Sequence, residues 1–309
     1  MRVPRLRRRG AAPDPSTEPD VASSDDDTGA VATLTQERED PPTRTLTSDD
    51  AAATESGLDR RTSYAPPPPA GRLGAVRASG PMLLLRAAHP RHAVVAAVSM
   101  ALVAGLSGRP GADMGLVLVT VLVGQALLGW LNDLVDRGRD ARHERPGKPV
   151  ADGRLDPGTV WFVLCCGVLL LVPLAFSNGR VAGSLYLLGL LVGVLGTVLV
   201  RRTILSFVPW AASFALYAGF LSYGTWPGRE PGAAPSLGMV VLFALLGIGV
   251  HVLTALWGLV DDDSDGYSYL PLRLGRVLGA TRLLAVTVAY IAVVLVAMVI
   301  VGSAVGLRS

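Results

Sequence analysis

The sequence predicts an all-α polytopic transmembrane helical bundle that follows a disordered polar tail, and three observations predict it. Residues 1–80 hold 13 acidic residues, 11 arginines and a single aromatic residue, Tyr64, whereas residues 81–309 are built of repeated apolar runs. Each run is roughly 20 residues long, enough to cross a hydrocarbon core of about 30 Å. The basic residues of the second part gather in alternate connections between the runs, the asymmetry that orients a membrane protein. Domain organisation follows: a polar tail over 1–80 and a transmembrane domain over 81–309.

The tail mixes acids, Arg, Pro, Ser and Thr and has almost nothing to bury, so the ordering entropy of a packed core finds no compensation there. Arg2, Arg5, Arg7, Arg8 and Arg9 open the chain, but no apolar run follows them, which argues against a cleaved signal peptide. Acids match the basic residues and Tyr64 is the lone aromatic, so nothing in the tail points to nucleic acid as a partner. Pro81–His92 reads as a lead-in, with Arg86 and Arg91 at the membrane interface.

Seven spans follow, near 93–107, 114–131, 159–176, 181–200, 204–223, 237–259 and 282–305. The first is short and is expected to begin near Met82, with Pro90 as a kink. Glycines at 183, 189, 193 and 196 suit close helix packing in lipid. Cys165 and Cys166 are adjacent within one run and read as small packing residues, not as a redox or metal pair. The connections 132–158, 201–203 and 260–281 hold Arg137, Arg139, Arg142, Arg145, Lys148, Arg154, Arg201, Arg202, Arg273 and Arg276; the opposite ones hold only Arg109, Arg180 and Arg229. A multi-pass protein of the cell membrane is expected, its tail and its Asp-rich connections cytoplasmic.

The acids sharpen this picture. Of 12 acidic residues beyond residue 80, ten lie in the connections after the second and sixth spans. In the first of these, Asp133, Asp136 and Asp140 are spaced i, i+3, i+7, so a helix presents three carboxylates on one face. Carboxylates this close repel unless a cation lies among them, and their hard oxygens suit Mg²⁺. Lys148 is the only lysine in the chain and lies in the same connection. The second connection carries Asp261, Asp262, Asp263 and Asp265, with Gly266 as a helix stop; it lacks the ligand spacing of an EF-hand. His251, Thr254, Gly258, Asp261 and Asp265 fall on one face of a continuous helix, and His251 is expected to pack or hydrogen-bond inside the bundle.

Taken together, residues 82–309 resemble the UbiA superfamily of intramembrane prenyltransferases. Asn132, Asp133, Asp136 and Asp140 match the first family motif, NDxxDxxxD, in full; Lys148-Pro149 and Gly153 look like its downstream positions. Leu270 to Gly275, LPLRLG, looks like the stretch that trails the second motif, and Ser206 to Phe220 looks like the fifth span of actinobacterial members. The second motif departs: its first aspartate would fall at Gly258 and its second at Asp262, the asparagine usual four residues before is Thr254, and the Tyr and Lys usual near the end of span four look like Gly196 and Arg201. Family members usually have nine helices; 44 residues follow Asp265, enough for one more span, so two helices are expected to be missing.

The resemblance implies transfer of a polyprenyl group from an allylic diphosphate to an aromatic or quinone-precursor acceptor within the membrane. Mg²⁺ would be held by Asp133, Asp136 and Asp140, with Asp261 and Asp262 opposite, and Asn132 belongs to the same catalytic motif. Arg139, Arg145 and Lys148 would bind the diphosphate. Alternatives within the superfamily are a polyprenyl-phosphate sugar transferase, a terpene cyclase or a catalytically degenerate member. A CDP-alcohol phosphotransferase is disfavoured by the Gly and Asp spacing after Asp140-Ala141-Arg142, and a cation transporter by acids that sit at span ends.

Overall fold

The computed structural model describes residues 71–304, except 228, 230 and 231. The tail expected over 1–80 lies outside the described residues as far as residue 70, and Gly71–Arg77 forms a first short helix, α1. The described residues contain no strand. Six of their helices are long and apolar enough to cross a membrane, and a bent pair makes a seventh crossing if it is counted as one span. The protein is a multi-pass, all-α membrane protein.

That bent pair is the expected kinked lead-in. Helix α2 (Gly80–Ala87) and helix α3 (Pro90–Leu106) meet at 58°. Pro90 opens α3, where its missing N–H costs nothing. His89 between them is left-handed at φ 51°, a conformation that costs a side-chain-bearing residue roughly 1–2 kcal/mol. Two contacts hold the bend. Trp130 Nε1 donates to Leu84 O at 2.8 Å, and the Ala88 backbone lies against Gly129, where an added Cβ would fall 2.6 Å from the Ala88 carbonyl.

Helix α4 (Gly111–Arg142) has 32 residues, about 48 Å at 1.5 Å per residue. It is therefore longer than the bilayer core, and its last turns carry the first Asp stretch beyond the apolar zone while keeping it helical. Helix α5 (Pro157–Phe176) starts at an Asp156 cap, whose carboxylate accepts from Thr159 N at 2.8 Å. Helices α6 (Arg180–Leu199), α7 (Phe207–Tyr223, after a 3₁₀ turn Ile204–Ser206) and α8 (Leu237–Ala255, capped by Ser236) complete the centre. Successive helices from α3 to α8 pack on one another, except that α4 also reaches α6, α3 reaches α7, and α11 (Ala280–Ala304) packs on α8.

Tyr186, Phe220 and Tyr217 fill the core, with Tyr186 and Phe220 ring centres 4.8 Å apart. Interhelical hydrogen bonds from Ser213 to Gly189 O (2.8 Å) and from Tyr290 to Leu245 O (2.9 Å) satisfy side chains that have no water to bond. Leu169 and Phe162, 76% and 69% exposed, lie on the outer surface that lipid would cover. Cys165 and Cys166 also face outward on α5 and do not pack inside the chain, which corrects the packing role expected of them.

The sixth span departs from expectation as well. It is not one helix to 259: residues Leu256–Gly258 wind as a 3₁₀ turn before α9 (Leu259–Ser264). A 3₁₀ turn advances about 120° per residue, so the single face expected from His251 to Asp265 is interrupted. His251 turns to Ser206 Oγ at 2.9 Å, deep in the bundle, while the aspartates turn to α4. Helix α10 (Leu270–Leu278) then packs its apolar side, Leu272 above all, over Val252, Leu259 and Leu283.

Gly129→Ala is expected to lower the unfolding temperature of the detergent-solubilised protein, by forcing α2 off α4 at a cost of about 1–3 kcal/mol. Gly138→Ala, nine residues on and with nothing within 4 Å of its added Cβ, is expected to leave that temperature unchanged or raise it, since alanine favours helix by up to ~1 kcal/mol.

Candidate functional site at the Asp-rich end

Three aspartates of α4 are buried: Asp133, Asp136 and Asp140 are 2%, 7% and 1% exposed. Buried carboxylates persist only when cations or hydrogen bonds compensate the lost hydration, and here cations do so. Lys148 Nζ lies 2.7 Å from Asp133 Oδ1 and 3.3 Å from Asp140 Oδ2, bridging the first and last of the three. Arg201, from the connection after α6, ion-pairs with Asp136. His89 Nε2 reaches the same Asp133 Oδ1 at 2.9 Å, so the strained α2–α3 bend delivers an imidazole to the site. Asn132 is half-buried beside Asp133.

The two Asp stretches meet through arginines. Arg139, one turn of α4 below Asp136, ion-pairs with Asp262 and donates from Nε to Asp265 Oδ2 at 2.5 Å. Arg145 donates from Nη2 to Asp261 Oδ2 at 2.7 Å and lies 3.7 Å from Asp140 Oδ1. His143 Nε2 completes the junction, 3.1 Å from Asp265 Oδ1. Tyr269 donates its hydroxyl to Asp262; burial first, and then that carboxylate, push the hydroxyl above its usual range. Asp263 stands apart, paired with exposed Arg276 at the surface.

The two Asp stretches and Arg139, Arg145 and Lys148 therefore converge at one end of the bundle, whereas His251 lies apart on Ser206. Arg139, Arg145 and Lys148, expected on the diphosphate, pair with carboxylates in this structure. His89, His143, Tyr267 and Tyr269 join them without having been singled out, and so does Arg201, noted in the sequence at the family's lysine position but not assigned to the site. Their sequence signals are faint: a histidine before a proline at a kink, and aromatics just after a run of aspartates.

The departure at Gly258 gains a location. A Cβ there would lie 3.1 Å from Asp262 Oδ2 and 3.6 Å from Arg145 Nη2, so the carboxylate missing from this position would have faced both. Arg145 turns to Asp261 instead.

Six carboxylates (Asp133, Asp136, Asp140, Asp261, Asp262, Asp265) face four permanent cations (Arg139, Arg145, Lys148, Arg201), a net charge of −2 with both histidines neutral. Asp133 Oδ2 and both Asp140 oxygens are buried and accept no hydrogen bond. By charge and donor type this set fits a hard divalent cation such as Mg²⁺. Among the described residues, however, no three Asp, Glu, His or Cys side chains converge as a metal-holding group. The basic side chains stand between the carboxylates instead.

Comparison with known proteins bears on the whole domain. A profile described as the UbiA prenyltransferase family matches residues 93–307, from α3 to beyond α11. No curated protein and no solved structure matches the chain.

The Arg139 hydrogen bond, aided by His143, lowers the Asp265 carboxyl from 3.8 to about 2. A carboxyl depressed by folding stabilises the fold above its unfolded value and loses that contribution as pH falls through its folded one. The unfolding-temperature difference between wild type and Asp265→Asn is therefore expected to be constant down to about pH 4 and to vanish between pH 4 and about 2.

Proposed function

We propose, from the premise that this chain belongs to the UbiA prenyltransferase family, that it transfers a polyprenyl group from an allylic diphosphate to an aromatic or quinone-precursor acceptor within the membrane. One observation carries this reading: two Asp stretches, more than a hundred residues apart in sequence, face each other across basic side chains at one end of an apolar bundle. An allylic diphosphate has the complementary form, an isoprenoid tail soluble among helices and an anionic head that needs cations at a polar mouth. The distribution of arginines supports a cytoplasmic mouth in the cell membrane.

The reaction breaks the C–O bond between the prenyl carbon and the diphosphate. The electron pair leaves with pyrophosphate, an electron-rich acceptor carbon attacks the allylic cation, and the acceptor gives up a proton as the new bond forms. Asp133, Asp136 and Asp140, with Asp261 and Asp262 opposite, would hold Mg²⁺, which when bound neutralises diphosphate charge. The chain's own part is electrostatic. Lys148, Arg139 and Arg145, drawn from their carboxylates to the phosphate oxygens, would stabilise the charge that builds on the leaving group. Asn132 and His89 would keep Asp133 oriented.

A second reading, a catalytically silent member of the family, is favoured by Gly258, which leaves the second Asp stretch without the usual first carboxylate, and by Thr254, which replaces the usual asparagine. One assay separates the two. Membranes containing the chain are expected to transfer prenyl groups, and Asp133→Asn and Asp136→Asn to lower the rate by about a hundredfold or more. Equal, background rates from wild type and both variants, with long and short diphosphates, would establish the silent reading.

A further inference from the structure

Tyr267 lies where the second Asp stretch meets the connection after α6, and three guanidinium groups surround its ring. The carbons at the centres of Arg202, Arg139 and Arg201 are 4.9, 5.1 and 5.9 Å from the ring centre. Two of the three are neutralised, Arg139 by Asp262 and Asp265 and Arg201 by Asp136. Arg202 has no carboxylate partner among the described residues. Its side chain is exposed, and its backbone is tied to the Tyr267 segment by the Ser268 N–H, which donates to Arg202 O at 3.1 Å.

A guanidinium on an aromatic face is held in direction without being neutralised, because the ring supplies a quadrupole and not a charge. Each of the four cations that touch the six carboxylates must give up an ion pair before it can bind a phosphate. Arg202 gives up nothing. The Tyr267 ring is buried and its hydroxyl makes no hydrogen bond, so the residue's contribution here is its face.

We infer that Arg202, docked on Tyr267, is the contact that first receives the diphosphate head and last releases pyrophosphate, a binding residue at the rim of the site. This rests on the diphosphate reading proposed above. Arginine offers two N–H donors to phosphate oxygens in a fixed fork, which lysine does not, so Arg202→Lys is expected to restore binding only in part.

The test is binding of inorganic pyrophosphate, with Mg²⁺ present, to the detergent-solubilised full chain, measured by calorimetry. Arg202→Ala is expected to weaken binding about tenfold, the equivalent of one charge-assisted hydrogen bond. Arg137→Ala, which removes an exposed arginine from α4 away from the Tyr267 ring, is expected to bind as wild type. Tyr267→Leu is expected to weaken binding in the same direction, and the double variant to bind no more weakly than Arg202→Ala alone, because the ring acts through the arginine. Wild-type affinity in Arg202→Ala, equal losses in Arg202→Ala and Arg137→Ala, or additive losses in the double variant would overturn the inference while leaving the diphosphate reading intact. Failure of the wild-type chain to bind pyrophosphate at all would overturn both.

Discussion

Buried negative charge is the constraint on which the Asp-rich end depends. Three aspartates almost without exposure on a single helix face cannot stand alone, since the desolvation cost of each ion is several kcal/mol. The chain answers with Arg139 from α4 itself, Arg145 and Lys148 from the connection after it and Arg201 from the connection after α6, and with a hydrogen-bonding imidazole, His89, before α3. Arg145 lies between Asp140 and Asp261 and so serves both stretches, while Arg139 fastens α4 to Asp262 and Asp265. On the proposed reading, a metal ion and a diphosphate would enter a site whose carboxylates are already partly neutralised by exchangeable partners, so binding would be an exchange of ion pairs and not the filling of an apolar pocket.

The bundle serves that arrangement by length and by local irregularity. Helix α4 continues past the apolar zone, so its aspartates remain on a rigid face. The α2–α3 bend, held by Gly129 and Trp130, pays for a left-handed His89 with a contact to Asp133. On the other side, the 3₁₀ turn at Leu256–Gly258 redirects the sixth span, and α10 closes over it with Leu272 against Leu259. Each of these two irregularities falls within one or two turns of a carboxylate or its cation.

Much of this was legible in the sequence. Hydropathy located seven crossings, including the kink at Pro90, and the i, i+3, i+7 spacing placed Asp133, Asp136 and Asp140 on one face because α4 stays helical. Two acidic clusters in connections on the same side of the bundle pointed to their meeting. The individual pairs were not legible: Arg139 and Asp265 are separated by 126 residues, and no local period encodes such a partner. Arg202 looked like topological charge, since a basic residue at a span end has that meaning by default, and Arg201 looked like the family's lysine without a partner to assign it. His89 carried no pattern of its own, because its role comes from a bend whose geometry is set by Gly129, forty residues away. The single face drawn from His251 to Asp265 failed for a local reason, a three-residue change of helical winding that apolar periodicity does not report.

If the cation-bridged aspartates form one catalytic diphosphate site, the purified full chain, supplied with aromatic and quinone-precursor acceptors, releases pyrophosphate from short or long allylic diphosphates. That release is expected to stop when Mg²⁺ is chelated and to resume when it is restored. Folded protein that binds inorganic pyrophosphate yet releases none from any allylic diphosphate, with or without Mg²⁺, would contradict it.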